Sequence, residues 1–155
     1  MPSQLPKPPT REEAQSAAFE EPNEPKEVAG ILLRPFTSFS WERCMRMNVR
    51  TAMDSFEDIQ KMPTSDILRE TALVAWMQSA PPRAVAEAFA AGDATVWMEV
   101  ELFETAFNAK RDAGKGWLAL TEEVTRTLLR AKALLFTLSE TEEAKESAET
   151  PPGNS

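Results

Sequence analysis

Residues 66–79 read Asp66-Ile67-Leu68-Arg69-Glu70-Thr71-Ala72-Leu73-Val74-Ala75-Trp76-Met77-Gln78-Ser79. Ile67, Thr71, Val74 and Gln78 fall on one helical face, Leu68, Ala72 and Ala75 flank it, and Leu73, Trp76 and Met77 occupy the opposite side. A helix that is apolar nearly all round is a buried one, so the spacing predicts a central helix wrapped by others. Ser65 stands where an N-cap belongs.

Outward from this segment the punctuation is clear. Pro81-Pro82 suits the first turn of a short helix, where the missing N–H is no loss, and Gly92 suits its end. Asp93 is the expected cap of a fourth helix over about 94–110, with Val96, Val100, Phe103 and Phe107 in a stripe. Residues 112–116, with Gly114 and Gly116, read as a flexible turn. A fifth helix then runs from Trp117 or Thr121 to Leu138 on the stripe Leu120, Val124, Leu128, Ala131, Leu135 and Leu138, with Glu122–Arg126 as an i,i+4 pair. Upstream, Trp41, Met45, Val49, Ala52 and Phe56 are spaced as one stripe of a first helix over about 40–60, broken or whole, ended by Met62-Pro63. Thr37, Ser38 and Ser40 are its candidate caps, and Ile31-Leu32-Leu33 is an apolar lead-in strand over about 30–34.

The expectation is a single small all-α domain of about five helices over residues 30–138, with a short N-terminal strand or extended lead-in. Charge marks its limits. Residues 31–138 carry 13 basic and 14 acidic side chains, whereas 1–30 carry three and six and 139–155 carry one and five. All but one unit of the net charge of −8 therefore sits in the ends, which also hold most of the prolines. Residues 1–29 read as a disordered acidic Pro/Glu-rich tail, and 139–155 as a disordered acidic tail. About 110 residues remain to fold, enough for one core.

Two absences narrow the chemistry. The chain has no histidine, so neither a Ser-His-Asp nor a Cys-His site is available within it, and one cysteine cannot supply a Cys/His zinc site or an internal disulfide. Cys44 lies beside Arg43 and near Arg46, a setting that can activate a thiol, but no histidine serves as its base and it reads as core material. Glu99, Glu101 and Glu104, with Asp112, read as an exposed charged face rather than a cation site, because no partner helix offers a matching ligand pair. No catalytic, cofactor or metal residue is assigned, and the chain reads as a non-enzyme. The opening Met-Pro-Ser-Gln-Leu-Pro lacks the apolar run of a signal peptide, and no run approaches the ~20 residues of a membrane span. The expected compartment is the cytoplasm.

Surface chemistry offers two leads. Arg43, Arg46 and Arg50, joined by Arg34, make the one basic face, which Asp54, Glu57 and Asp58 are placed to neutralise. The acidic balance and the lack of basic-aromatic interleaving disfavour nucleic acid as a partner. Trp97 lies beside its helix stripe, as do Leu129 and Phe136 on theirs, so these three are the apolar candidates for partner contact.

The segment Gly30-Ile31-Leu32-Leu33-Arg34-Pro35-Phe36-Thr37-Ser38-Phe39, followed by an amphipathic helix, resembles the opening of tail assembly chaperone-like proteins of tailed bacteriophages. The motif spans residues 31–39, and the helical architecture extends the likeness to 30–138. Acidic low-complexity C-terminal tails are common in that family. The resemblance implies a non-enzymatic protein of virion morphogenesis. Its role would be to bind the tape-measure protein, keep its long apolar helices soluble and help recruit tail-tube subunits. A helix-in-groove contact fits that role, with Trp97, Leu129, Phe136, Arg43, Arg46 and Arg50 as expected partner contacts. The alternative is a small acidic regulatory inhibitor or adaptor of the anti-defence or host-takeover type. A DNA-binding module using the three arginines is a weaker third.

Overall fold

The computed structural model describes residues 24–149, with side chains as far as Leu135. The expected tails therefore lie, for residues 1–23 and 150–155, outside the described residues.

The domain is all-α apart from one hairpin. Strands β1 (Lys26–Val28) and β2 (Ile31–Leu33) pair antiparallel, Lys26 opposite Leu33 and Val28 opposite Ile31. Ala29 and Gly30 between them have φ of 52° and 78°, the two positive values of a type I′ turn. Order thus begins before Val28, inside the segment that charge and proline marked as tail. Lys26 holds β1 down by pairing with Glu123 at 2.9 Å. β2 then continues onto the central helix: the Arg34 amide donates to the Gln78 carbonyl at 2.8 Å, and Gln78 Nε2 donates back to the Arg34 carbonyl at 2.9 Å.

Seven helices follow among the described residues: α1 (Ser38–Arg46), α2 (Arg50–Met53), α3 (Phe56–Gln60), α4 (Thr64–Ser79), α5 (Pro82–Ala91), α6 (Asp93–Asn108) and α7 (Ala113–Glu149). α4 is the centre. Every residue from Glu70 to Gln78 is buried, and the helix touches α1, α2, α6, α7 and β2. Fully burying a side chain such as Leu73 or Val74 stabilises by about 1.5–3 kcal/mol. The expected stripes hold on α6, where Val96, Val100 and Phe107 are buried, and on α7, where Leu120, Val124, Leu128 and Ala131 are.

The first helix expected over 40–60 is three short ones. Asn48 takes φ 55°, a left-handed conformation that asparagine tolerates, and ends α1. Ser55 is extended and its Oγ accepts from the Asp58 amide, which restarts the chain as α3. Val49 and Ala52 stay buried, but Phe56 leaves the stripe and is 57 % exposed. α2 has no capping side chain of its own. Buried Glu70 substitutes from α4, its carboxylate accepting from the Arg50 amide (3.1 Å), the Thr51 amide (2.8 Å) and the Thr51 hydroxyl (2.9 Å).

Other boundaries differ for local reasons. α1 is capped by Thr37, reciprocally with Ser40. α4 starts at Thr64 with Pro63, not Ser65, in the cap position, because the Pro63 carbonyl accepts from the Asp66 and Ile67 amides. Gly92, at φ 126°, serves α5 as its last cap and α6 as its first, so Asp93 is the first residue inside α6. α7 takes in Gly114 and Gly116, and it runs through 139–149 to Glu149. That stretch is rich in Glu, with two Ala and no Gly or Pro, a composition that can propagate a helix. Arg126 pairs with Glu123 at 3.0 Å rather than with Glu122. Among the described residues no helix is long and apolar enough to cross a membrane.

Candidate partner-binding site

The 34–46 stretch does more than connect the hairpin to the bundle. Arg34, Pro35 and Thr37, with Phe39, Ser40 and Arg43 of α1, form one side of an open cleft of about 570 Å³. Met77 and Gln78 at the end of α4, with Pro82 and Val85 of α5, form the other. The chain is steered there by the paired Arg34 and Gln78 backbone and side-chain bonds, and Phe36, the next apolar residue, is buried in the core as an anchor. Phe39 sits in the first turn of α1, off the buried face that Cys44 occupies, and is 67 % exposed.

The cleft has an apolar floor and a positive rim. None of its lining side chains is acidic. Arg34 Nη2 donates to the Met77 carbonyl at 3.0 Å, and partial burial pulls its guanidinium below the ordinary arginine pKa, though not out of the charged form at neutral pH. The Arg43 guanidinium lies 5.1 Å from the Phe89 ring centroid, a cation–π contact that fixes its stem along α5. Among the described residues no carboxylate pairs with either arginine.

The expected partner residues are dispersed. Arg46 shares the Phe89 ring with Arg43 at 5.3 Å, but donates to the Phe89 carbonyl and pairs with Asp93 at 3.0 Å. Arg50 pairs with Asp54 at 3.0 Å, as the i,i+4 spacing predicts, on a different helix. The three arginines are therefore not one face, because Asn48 and the break before α2 turn Arg50 away. Arg46 is neutralised by Asp93 of α6, not by Glu57 or Asp58 of α3. Trp97 lies at a second, smaller cleft of about 420 Å³, under the Arg69 guanidinium at 4.1 Å, with Trp117, Glu101 and Glu104 on its walls. Burial raises the Glu104 pKa there, Arg69 lowers it and Glu101 raises it, with a net upward shift. Leu129 is half-buried on α7, and the Phe136 side chain lies outside the described residues. Among the described residues no three His, Cys, Asp or Glu side chains meet as a metal-ligand set. Cys44 is fully buried, and burial together with nearby Glu70 pushes its thiol up to about 12, the behaviour of core material.

Helical periodicity does not single out Phe39. Its signal was local: a large aromatic between two serines at a helix cap, out of phase with the Trp41–Met45 stripe. Compared with family models, with curated proteins and with solved structures, the chain matches none.

Proposed function

We propose that this chain is a non-enzymatic assembly factor that binds an apolar helical segment of a tape-measure protein during phage tail morphogenesis. The observation that carries the proposal is the open cleft with Phe39 exposed at its rim. Arg34, Pro35, Thr37 and Phe39, four residues of the stretch that resembles tail assembly chaperones, line it. Buried residues of a globular domain do not need an aromatic left in water beside a preformed apolar floor, whereas a docking segment does. Covering Phe39 with a partner side chain contributes on the order of 1–2 kcal/mol to binding. Met77 and Gln78 of the cleft belong to α4, the most deeply buried helix, so that side needs little ordering when a partner arrives.

Co-expression with a tape-measure fragment tests this. The fragment is expected to stay soluble and to co-purify with the chain. A fragment that remains insoluble and is not retained ends the proposal.

A further inference from the structure

We infer that the cleft recognises a carboxylate together with an apolar side chain. Its occupant is then a partner helix carrying Glu or Asp within one turn of a large apolar residue. The inference rests on the assembly-factor reading and makes its partner more specific.

Charge selects the occupant. The chain carries −8 overall, yet Arg34 and Arg43 are the only charged residues that line the cleft. Neighbouring cations are neutralised from within, Arg46 by Asp93 and Arg50 by Asp54, whereas among the described residues no ion pair engages Arg34 or Arg43, and Glu24 and Glu123 meet Arg34 only across a separate pocket on its other side from the cleft lining. Both arginines are already ordered, one on the Met77 carbonyl and the other against Phe89, so a carboxylate meets donors that need little further ordering. The first turns of α1 and α5 also open onto the cleft and add to its positive potential. A wholly apolar occupant would cover two guanidiniums with hydrocarbon and give them no counter-charge, which is unfavourable. An occupant with one carboxylate beside its apolar anchor removes that penalty while Phe39 and Val85 take the anchor.

The test uses the full chain and two fluorescent alanine-based helical peptides. One carries Leu, Phe and Glu on a single face, and the other has Gln in place of Glu. At low salt the Glu peptide is expected to bind roughly tenfold more tightly than the Gln peptide, as a charge-assisted pair requires. The preference should vanish in R34Q/R43Q and shrink in R43Q alone, the variant that leaves the Arg34–Met77 bond in place. F39A should weaken both peptides. Equal binding of the two peptides, no binding of either, or a preference that survives in R34Q/R43Q overturns the inference. Co-expression keeps its failure distinct from that of the assembly reading. A tape-measure fragment retained equally by the wild type and R34Q/R43Q overturns the carboxylate requirement and leaves the assembly reading standing. A fragment lost by the wild type overturns the assembly reading, while the peptide preference still decides the chemistry of the cleft.

Discussion

Cys44 and Glu70 show how single residues set the limits of this core. The thiol is fully buried, and its pKa is raised to about 12 from an ordinary value near 9, first by burial and then by the Glu70 charge. The unfolded chain releases the thiol proton near pH 9 while the folded chain keeps it. The sign follows: this contribution to stability is complete below pH 9 and is lost as pH rises from there toward 12. Between about pH 9 and pH 10.5 the wild type should lose roughly 1.5 kcal/mol more unfolding free energy than C44A, measured by urea titration at each pH. Parallel losses in the two proteins would show that the thiol does not titrate differently on folding. That Cys44 belongs to the core was readable from its place on an amphipathic stretch without a histidine. The role of Glu70 was not, because a carboxylate inside an apolar run gives no hint of which amides it meets. Its partners, Arg50 and Thr51, are some twenty positions upstream and come within reach only after α1 and α2 turn.

Helices in this chain end where backbone geometry dictates, and the sequence shows only some of those places. Pro81-Pro82 and Gly92 were legible because their conformational limits are intrinsic. The break at Asn48 was not, since the Trp41 to Ala52 stripe runs through it in phase. The cleft escaped a stripe analysis for a related reason: its two sides come from four segments, and Arg43 faces it while Arg46, three residues on, does not. Gly114 and Gly116 look alike in sequence and differ in packing. A Cβ on Gly116 would lie 2.8 Å from the Phe107 ring, and that ring is buried and held 4.5 Å from Trp117, centroid to centroid. Nothing approaches a Cβ on Gly114. G114A should therefore raise stability by up to about 1 kcal/mol through helix propensity. G116A should lower it by about 1–3 kcal/mol because overpacking exceeds that gain. Thermal denaturation of the two variants checks the opposition, and a stabilised G116A would mean that α6 and α7 are not this close.

At the scale of the molecule the question is which exposed apolar groups matter. Phe39 shares that exposure with Leu32, Met53, Phe56, Met98, Leu102 and Leu118, so exposure alone does not single it out. Isolated surface hydrophobics are ordinary, and a binding role requires concavity and neighbouring chemistry as well. Phe39 has both: it lines a cleft together with the apolar Pro35, Met77 and Val85 and the cationic Arg34 and Arg43. Met98 and Leu102 form an i,i+4 pair on α6, yet neither lines the Phe39 cleft or the smaller one at Trp97. The contrast gives a discriminating experiment. F39E should abolish retention of a tape-measure fragment while changing stability by less than about 0.5 kcal/mol, the usual effect of an exposed substitution. M98E/L102E should keep retention, because a charge there touches no docked segment. Retention by F39E would remove the partner surface from the α1–α5 cleft, and its loss in M98E/L102E with the thermal midpoint unchanged would place that surface on the Met98–Leu102 face of α6.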